Sequence, residues 1–190
     1  MDSEAPPAPE VTSDFTPEPQ DFAEQPALQI VPVEFVIDSH RINAEIRHPG
    51  APRRLVDYLN AIDGPRITLH SCVVGDGDNA EAVGRFEDAQ IHRNAIIIAI
   101  PRGNKQFTAR TLEVVQKRPV PAVLVLPGFH VSGNIYMVPD IDPTNTPLIG
   151  NHHFVPVTDA TITPAGDPDR AWQEELVVVN MTRALLYVPR

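Results

Sequence analysis

The stretches AQIHRNAIIIAIPR (residues 89–102) and VVVNMTRALLYVPR (residues 177–190) have the same rhythm and end on the same Pro-Arg. Ile91 matches Val179, His92 matches Asn180, and Pro101 matches Pro189, a displacement of 88 residues. Working outward, VPVEFVIDSHRINAEI (31–46) aligns with VPAVLVLPGFHVSGNI (120–135) at a displacement of 89. ITLHSCVV (67–74) aligns with VPVTDATI (155–162) at 88. A near-constant displacement with one residue of slip is the pattern of a duplicated unit that has lost one loop residue.

The texture of each unit is β. Two β-rich runs flank Asp38-Ser39, which predicts a turn. In the second run Ile42, Ala44 and Ile46 share one parity, while Arg41, Asn43, Glu45 and Arg47 share the other. That alternation is a strand with one wet face. In PGAPRRLVDYLNAIDGP (49–65), Leu55, Leu59 and Ile62 have helical spacing with Tyr58 beside them, so a short amphipathic helix is predicted. RITLHSCVV (66–74) is a third strand, GDGDNAEAVG (75–84) a polar loop, and residues 85–102 a closing pair of strands around His92–Asn94. In the second unit the helix position holds DIDPTNTPLIGNHH (140–153); its prolines and glycine predict a loop there.

Composition agrees with a mainly β chain. Of 190 residues 21 are proline, about twice ordinary usage, which suits short strands and turns better than long helices. Residues 1–27 hold seven acids, six prolines and no Lys or Arg. Such a segment buries too little to offset its ordering entropy, so a disordered acidic tail is expected. It carries −7 of the formal net charge of −10. Phe15 and Phe22 give it docking potential, although a solubilising tail is the plainer reading. The resulting division is a tail (1–28), a first unit (29–102), a basic segment (103–119) and a second unit (120–190).

RRLVDYLN (53–60) with the following third strand, and FVPVTDATI (154–162) in the second unit, resemble the motifs of a bacterial family of uncharacterised small-barrel domains. Arg54, Leu55, Asp57, Tyr58, Leu59 and Asn60 match its helix pattern. Phe154, Pro156, Thr158, Asp159 and Ala160 match its strand pattern, with Val178, Val179 and Asn180 in the closing segment. The first unit departs from it with His70-Ser71 in place of Thr-Asp. The resemblance implies two tandem small β-barrels of SH3-like or Sm-like form and implies no activity. A weaker resemblance to Sm-type proteins, whose loops bind uridine-rich RNA and which usually form rings, rests on the closing segment alone.

Chemistry is sparse. One cysteine, Cys72, excludes an internal disulfide framework and four-cysteine or CxxC zinc sites. Buried in an apolar strand it reads as an inert thiol, and His70, two residues away on the same predicted face, is the sole reason to consider a nucleophile. His152-His153 would need an unusual turn to share a metal. GDGD lacks the spaced ligands of a calcium loop and would repel phosphate. Asp57 and Asn60 read first as residues that bond nearby backbone and stop the helix, and Thr158-Asp159 as a strand end. No cofactor and no catalytic constellation is indicated, and no apolar run approaches the ~20 residues of a membrane span.

The remaining candidate surface is basic. Arg102, Lys105, Arg110, Lys117 and Arg118 stand against Glu113 alone, a net +4. With Asp57 and Asn60 they form the expected interaction surface of a cytoplasmic, non-enzymatic scaffold whose partner is a protein. The competing expectation is Sm-like RNA binding through the basic segment, which the acidity elsewhere disfavours.

Overall fold

The structure is a computed structural model that describes residues 27–38, 40–50, 54–76, 79–103, 117–139, 142 and 153–190. The expectations for the acidic tail, for most of the basic segment and for His152 lie outside these residues.

The period-2 patterns become strands where expected: β1 (Leu28–Ile37), β2 (His40–Pro49), β3 (Arg66–Asp76), β4 (Asn79–His92) and β5 (Ile98–Pro101). The second unit supplies β6 (Arg118–Leu126), β7 (Phe129–Met137), β8 (Phe154–Pro164), β9 (Trp172–Asn180) and β10 (Leu186–Pro189). One helix, α1 (Leu55–Ala61), buries Leu55 and Leu59. The polar loop at 75–84 is shorter than its composition suggests, since β3 and β4 run into it from both sides.

All ten strands belong to one antiparallel sheet in the order β10-β6-β7-β8-β9-β5-β1-β2-β3-β4. The sequence predicts two tandem barrels; the sheet is not closed, and β10 and β4 are its two ends. Its first half, β10-β6-β7-β8-β9, has the connectivity of its second half, β5-β1-β2-β3-β4, strand for strand.

The predicted closing pair is a corner instead of a hairpin. A single 3-10 turn at Arg93–Ala95 turns the chain away from β4, and β5 pairs with β1 and β9. Met181–Arg183 does the same before β10, which pairs with β6. The backbone bonds of the two corners correspond. Arg93 N–H donates to Pro65 O and Met181 N–H to His153 O; Ile97 N–H donates to Val36 O and Leu185 N–H to Val125 O.

A bulge in β3 and another in β8 bend the sheet. Ser71 (φ 52°) and Asp159 (φ 50°) adopt the left-handed conformation at equivalent positions, opposite register shifts at Asn43/Glu45 and Ser132/Asn134. Each extra residue reverses strand parity. Buried Ile67 and Leu69 are followed by buried Cys72, and Val155 and Val157 by Ala160 and Ile162. Thr158-Asp159 is therefore a mid-strand bulge, correcting the reading of a strand end. Asn134 Nδ2 donates to Asp159 Oδ2 across it at 3.1 Å.

Two apolar clusters form the core, and each borrows from the other half. The cluster around Phe35, Ile46, Leu59, Ile67 and Leu69 includes Phe154 and Val178. That around Leu124, Val131, Val157 and Val177 includes Val36, Ile97, Ile98 and Ile100. Fully burying one isoleucine contributes roughly 1.5–3 kcal/mol. The three isoleucines around β5 make the junction between the halves a part of the core.

Candidate interaction surface

The residues singled out from the sequence fall into two groups, those consumed inside the molecule and those on its outside. Arg102 belongs to the first. It follows β5, and its guanidinium donates to Glu34 of β1 (2.8 and 3.0 Å) and to Glu174 of β9 (2.7 and 2.9 Å). Burial alone would lower its pKa, but the hydrogen bonds it donates to Glu174 and Glu34 outweigh that and raise it. The nearly buried Glu34 also accepts from Arg41 at 3.0 Å, and Arg41 lies over the Trp172 ring, 4.2 Å from its centre. A carboxylate withdrawn from water is tolerable only with such partners. The network joins strands of both halves.

Asn60 is a second such clamp. Its Nδ2 donates to Phe154 O (2.8 Å), and Phe154 N–H donates to its Oδ1 (3.0 Å). The expected role, bonding nearby backbone to stop the helix, is replaced by a contact with a strand 94 residues away. Asp57 stays local and is held by Arg54 in a two-pronged pair at 2.7 and 2.8 Å.

Asn180 is matched in the sequence to His92 and to the closing pattern, with no role attached; the structure gives it one. Only 1% exposed, it donates to Ile96 O (2.9 Å) and Arg93 O (3.4 Å), while its Oδ1 accepts from Thr182. Its backbone N–H donates to Ile97 O at 3.1 Å. An amide at the end of an otherwise apolar VVVN run was the available signal: a buried polar side chain must be satisfied somewhere.

Of the basic segment, Lys117 and Arg118 are described and exposed; Lys105 and Arg110 lie outside the described residues. Arg102 and Asn60 are not brought together: Arg102 is held by Glu34 and Glu174, while Asn60 is held by Phe154, whose partner in β9 is Asn180, at the other end of that strand.

The nucleophile reading fails on parity. The bulge at Ser71 sends Cys72 into the core at 1% exposure, while His70 Nδ1 lies 2.5 Å from Asp88 Oδ1 on the outside. Burial, with Asp88 adding to it, raises the Cys72 pKa, the opposite of what an attacking thiolate needs. Among the described residues no group of three or more His, Cys, Asp or Glu is placed to hold a metal ion. No helix among them is long and apolar enough to cross a membrane.

The outside is more apolar than the sequence suggests at both ends of the sheet. Leu185, Leu186 and Val188 are exposed at the β10 end, and Val83 and Phe86 along β4. Across all comparisons, no family model, no curated protein and no solved structure matches this chain.

Proposed function

We propose that the chain is a non-enzymatic protein-interaction or scaffold module made of two copies of one five-stranded unit. The observation that carries this reading is the apolar character of the two free sheet edges, with Leu186 54% and Phe86 52% exposed. Exposed strand edges with apolar side chains are templates for another polypeptide. The repeated strand order and the paired bulges support the duplication.

The arrangement favours a protein over RNA as the partner. Arg102, the cation next to the basic segment, is already paired with Glu34 and Glu174. A phosphate would have to displace both carboxylates. The deciding experiment titrates uridine-rich and mixed single-stranded RNA at ~0.1 M salt, with and without residues 1–27. The scaffold reading expects no micromolar binding by either form. Micromolar binding by the intact protein, with a log–log salt slope of about −3 to −4.5, would overturn it in favour of RNA recognition through the basic segment.

A further inference from the structure

The β5–β9 junction shows what covers the outer edge of one unit. Ile98 pairs with Val179 and Ala99 with Val178, and Asn180 N–H reaches Ile97 O. The covered side chains, Ile97, Ile98 and Ile100, are 0%, 0% and 1% exposed. Their counterparts 88 residues on are Leu185, Leu186 and Val188, at 71%, 54% and 39%. The backbone around them is held as in the first unit, down to Arg190 N–H on Pro121 O where Arg102 N–H meets Pro32 O. What differs is that, among the described residues, no strand lies beside β10.

The missing strand has a counterpart at the other end of the same molecule. β4 corresponds to β9, with Gln90, Ile91 and His92 standing where Val178, Val179 and Asn180 stand. β4 pairs with β3 on one side only. We propose that the free β10 edge of one molecule pairs antiparallel with the free β4 edge of a second copy, repeating between chains the β5–β9 junction within the chain. In that register Leu186 faces Ile91, Tyr187 faces Gln90, and His92 N–H donates to the Leu185 carbonyl. Continued by four residues, the same register sets Arg190 opposite Glu87, a pairing of opposite charges. The contact joins unlike edges, so each added molecule presents the same free edges again. The assembly grows head to tail, closing as a ring if the rotation permits and extending if it does not.

This inference rests on the equivalence of the two units proposed above, and its test is independent of RNA binding. Light scattering and native mass spectrometry on the full chain across the micromolar range should give multiples of 20.9 kDa. The double substitution Leu185→Glu, Leu186→Glu should return the single-chain mass with an unchanged circular dichroism spectrum, because both side chains are already exposed. Leu186→Cys with Ile91→Cys, in a Cys72→Ser background, should yield a ladder of disulfide-linked chains on mild oxidation, whereas Leu186→Cys alone should not. A strictly single-chain mass for the unmodified protein overturns the proposal. So does an oligomer that survives the two glutamates, or efficient self-linking by Leu186→Cys alone, which would mean a symmetric contact.

Discussion

Replacing Asn60 by Ala tests whether the helix is a clamp between the halves or only a cover for the first. In the intact protein both polar groups of the Phe154 peptide are satisfied by Asn60, at 2.8 and 3.0 Å. Phe154 is 1% exposed, so little water can replace the amide. Leaving a buried backbone donor or acceptor unpaired costs about 1–3 kcal/mol for each group. The variant, with two such groups, should therefore lose about 2–6 kcal/mol, a large share of the ~5–15 kcal/mol that holds a typical domain together. At ~2 kcal/mol per molar urea, the midpoint falls by about 1–3 M with the slope unchanged. Asp57→Ala, one turn earlier, removes an exposed pair with Arg54 and should cost at most about 0.5 kcal/mol. Asn60→Asp keeps the acceptor but turns a carboxylate toward the Phe154 carbonyl. Its penalty should shrink as pH falls toward the ordinary carboxyl value of about 4, because a carboxyl held against a carbonyl takes up its proton above that value and can donate again. Equal urea midpoints for Asn60→Ala and Asp57→Ala would refute the clamp.

Other outcomes follow from the same geometry. Ile46→Asp should unfold the first half, since Ile46 is 0% exposed and an unpartnered buried carboxylate costs several kcal/mol, while Glu45→Ala on the wet face should shift stability by less than about 1 kcal/mol; equal responses would mean the register is off by one. The Cys72 thiol, its pKa raised by burial, should resist thiol reagents in the native protein and react at once in urea. Because its folded pKa lies above the unfolded value, its contribution to stability is complete below the unfolded pKa of about 8.5 and is lost as pH rises through the folded one. A pH–stability curve of Cys72→Ser lacking that alkaline loss is the check.

Local pattern made much of the fold legible. Alternation at Ile42, Ala44 and Ile46 located β2 and its buried face, and the Leu55–Leu59 spacing located α1. Where one residue changes the phase, local reasoning failed: the bulge at Ser71 separates His70 from Cys72, although both lie at one parity in the sequence. The corner at Arg93–Ala95 reads as a hairpin because two strands flank it, and β5 leaves for β1 and β9, where Ile98 and Ile100 join one apolar cluster and Ala99 the other. The roles of Asn60, Glu34 and Asn180 depend on partners tens of residues away, which no spacing rule reaches. The recurrence of AQIHRNAIIIAIPR as VVVNMTRALLYVPR is a pattern of the sequence; that β5 lies against β9 needed the strand order.

The β5–β9 junction joins the ten strands into one sheet. Amide hydrogen exchange read residue by residue in dilute protein tests it most directly, by comparing Asn180 with His92 at the same place in the two units. With Asn180 N–H on Ile97 O and the side chain buried, its amide should exchange only through opening on the scale of global unfolding, while the His92 amide exchanges as a free edge. Asn180 exchanging as fast as His92 would contradict the junction, and with it the single sheet.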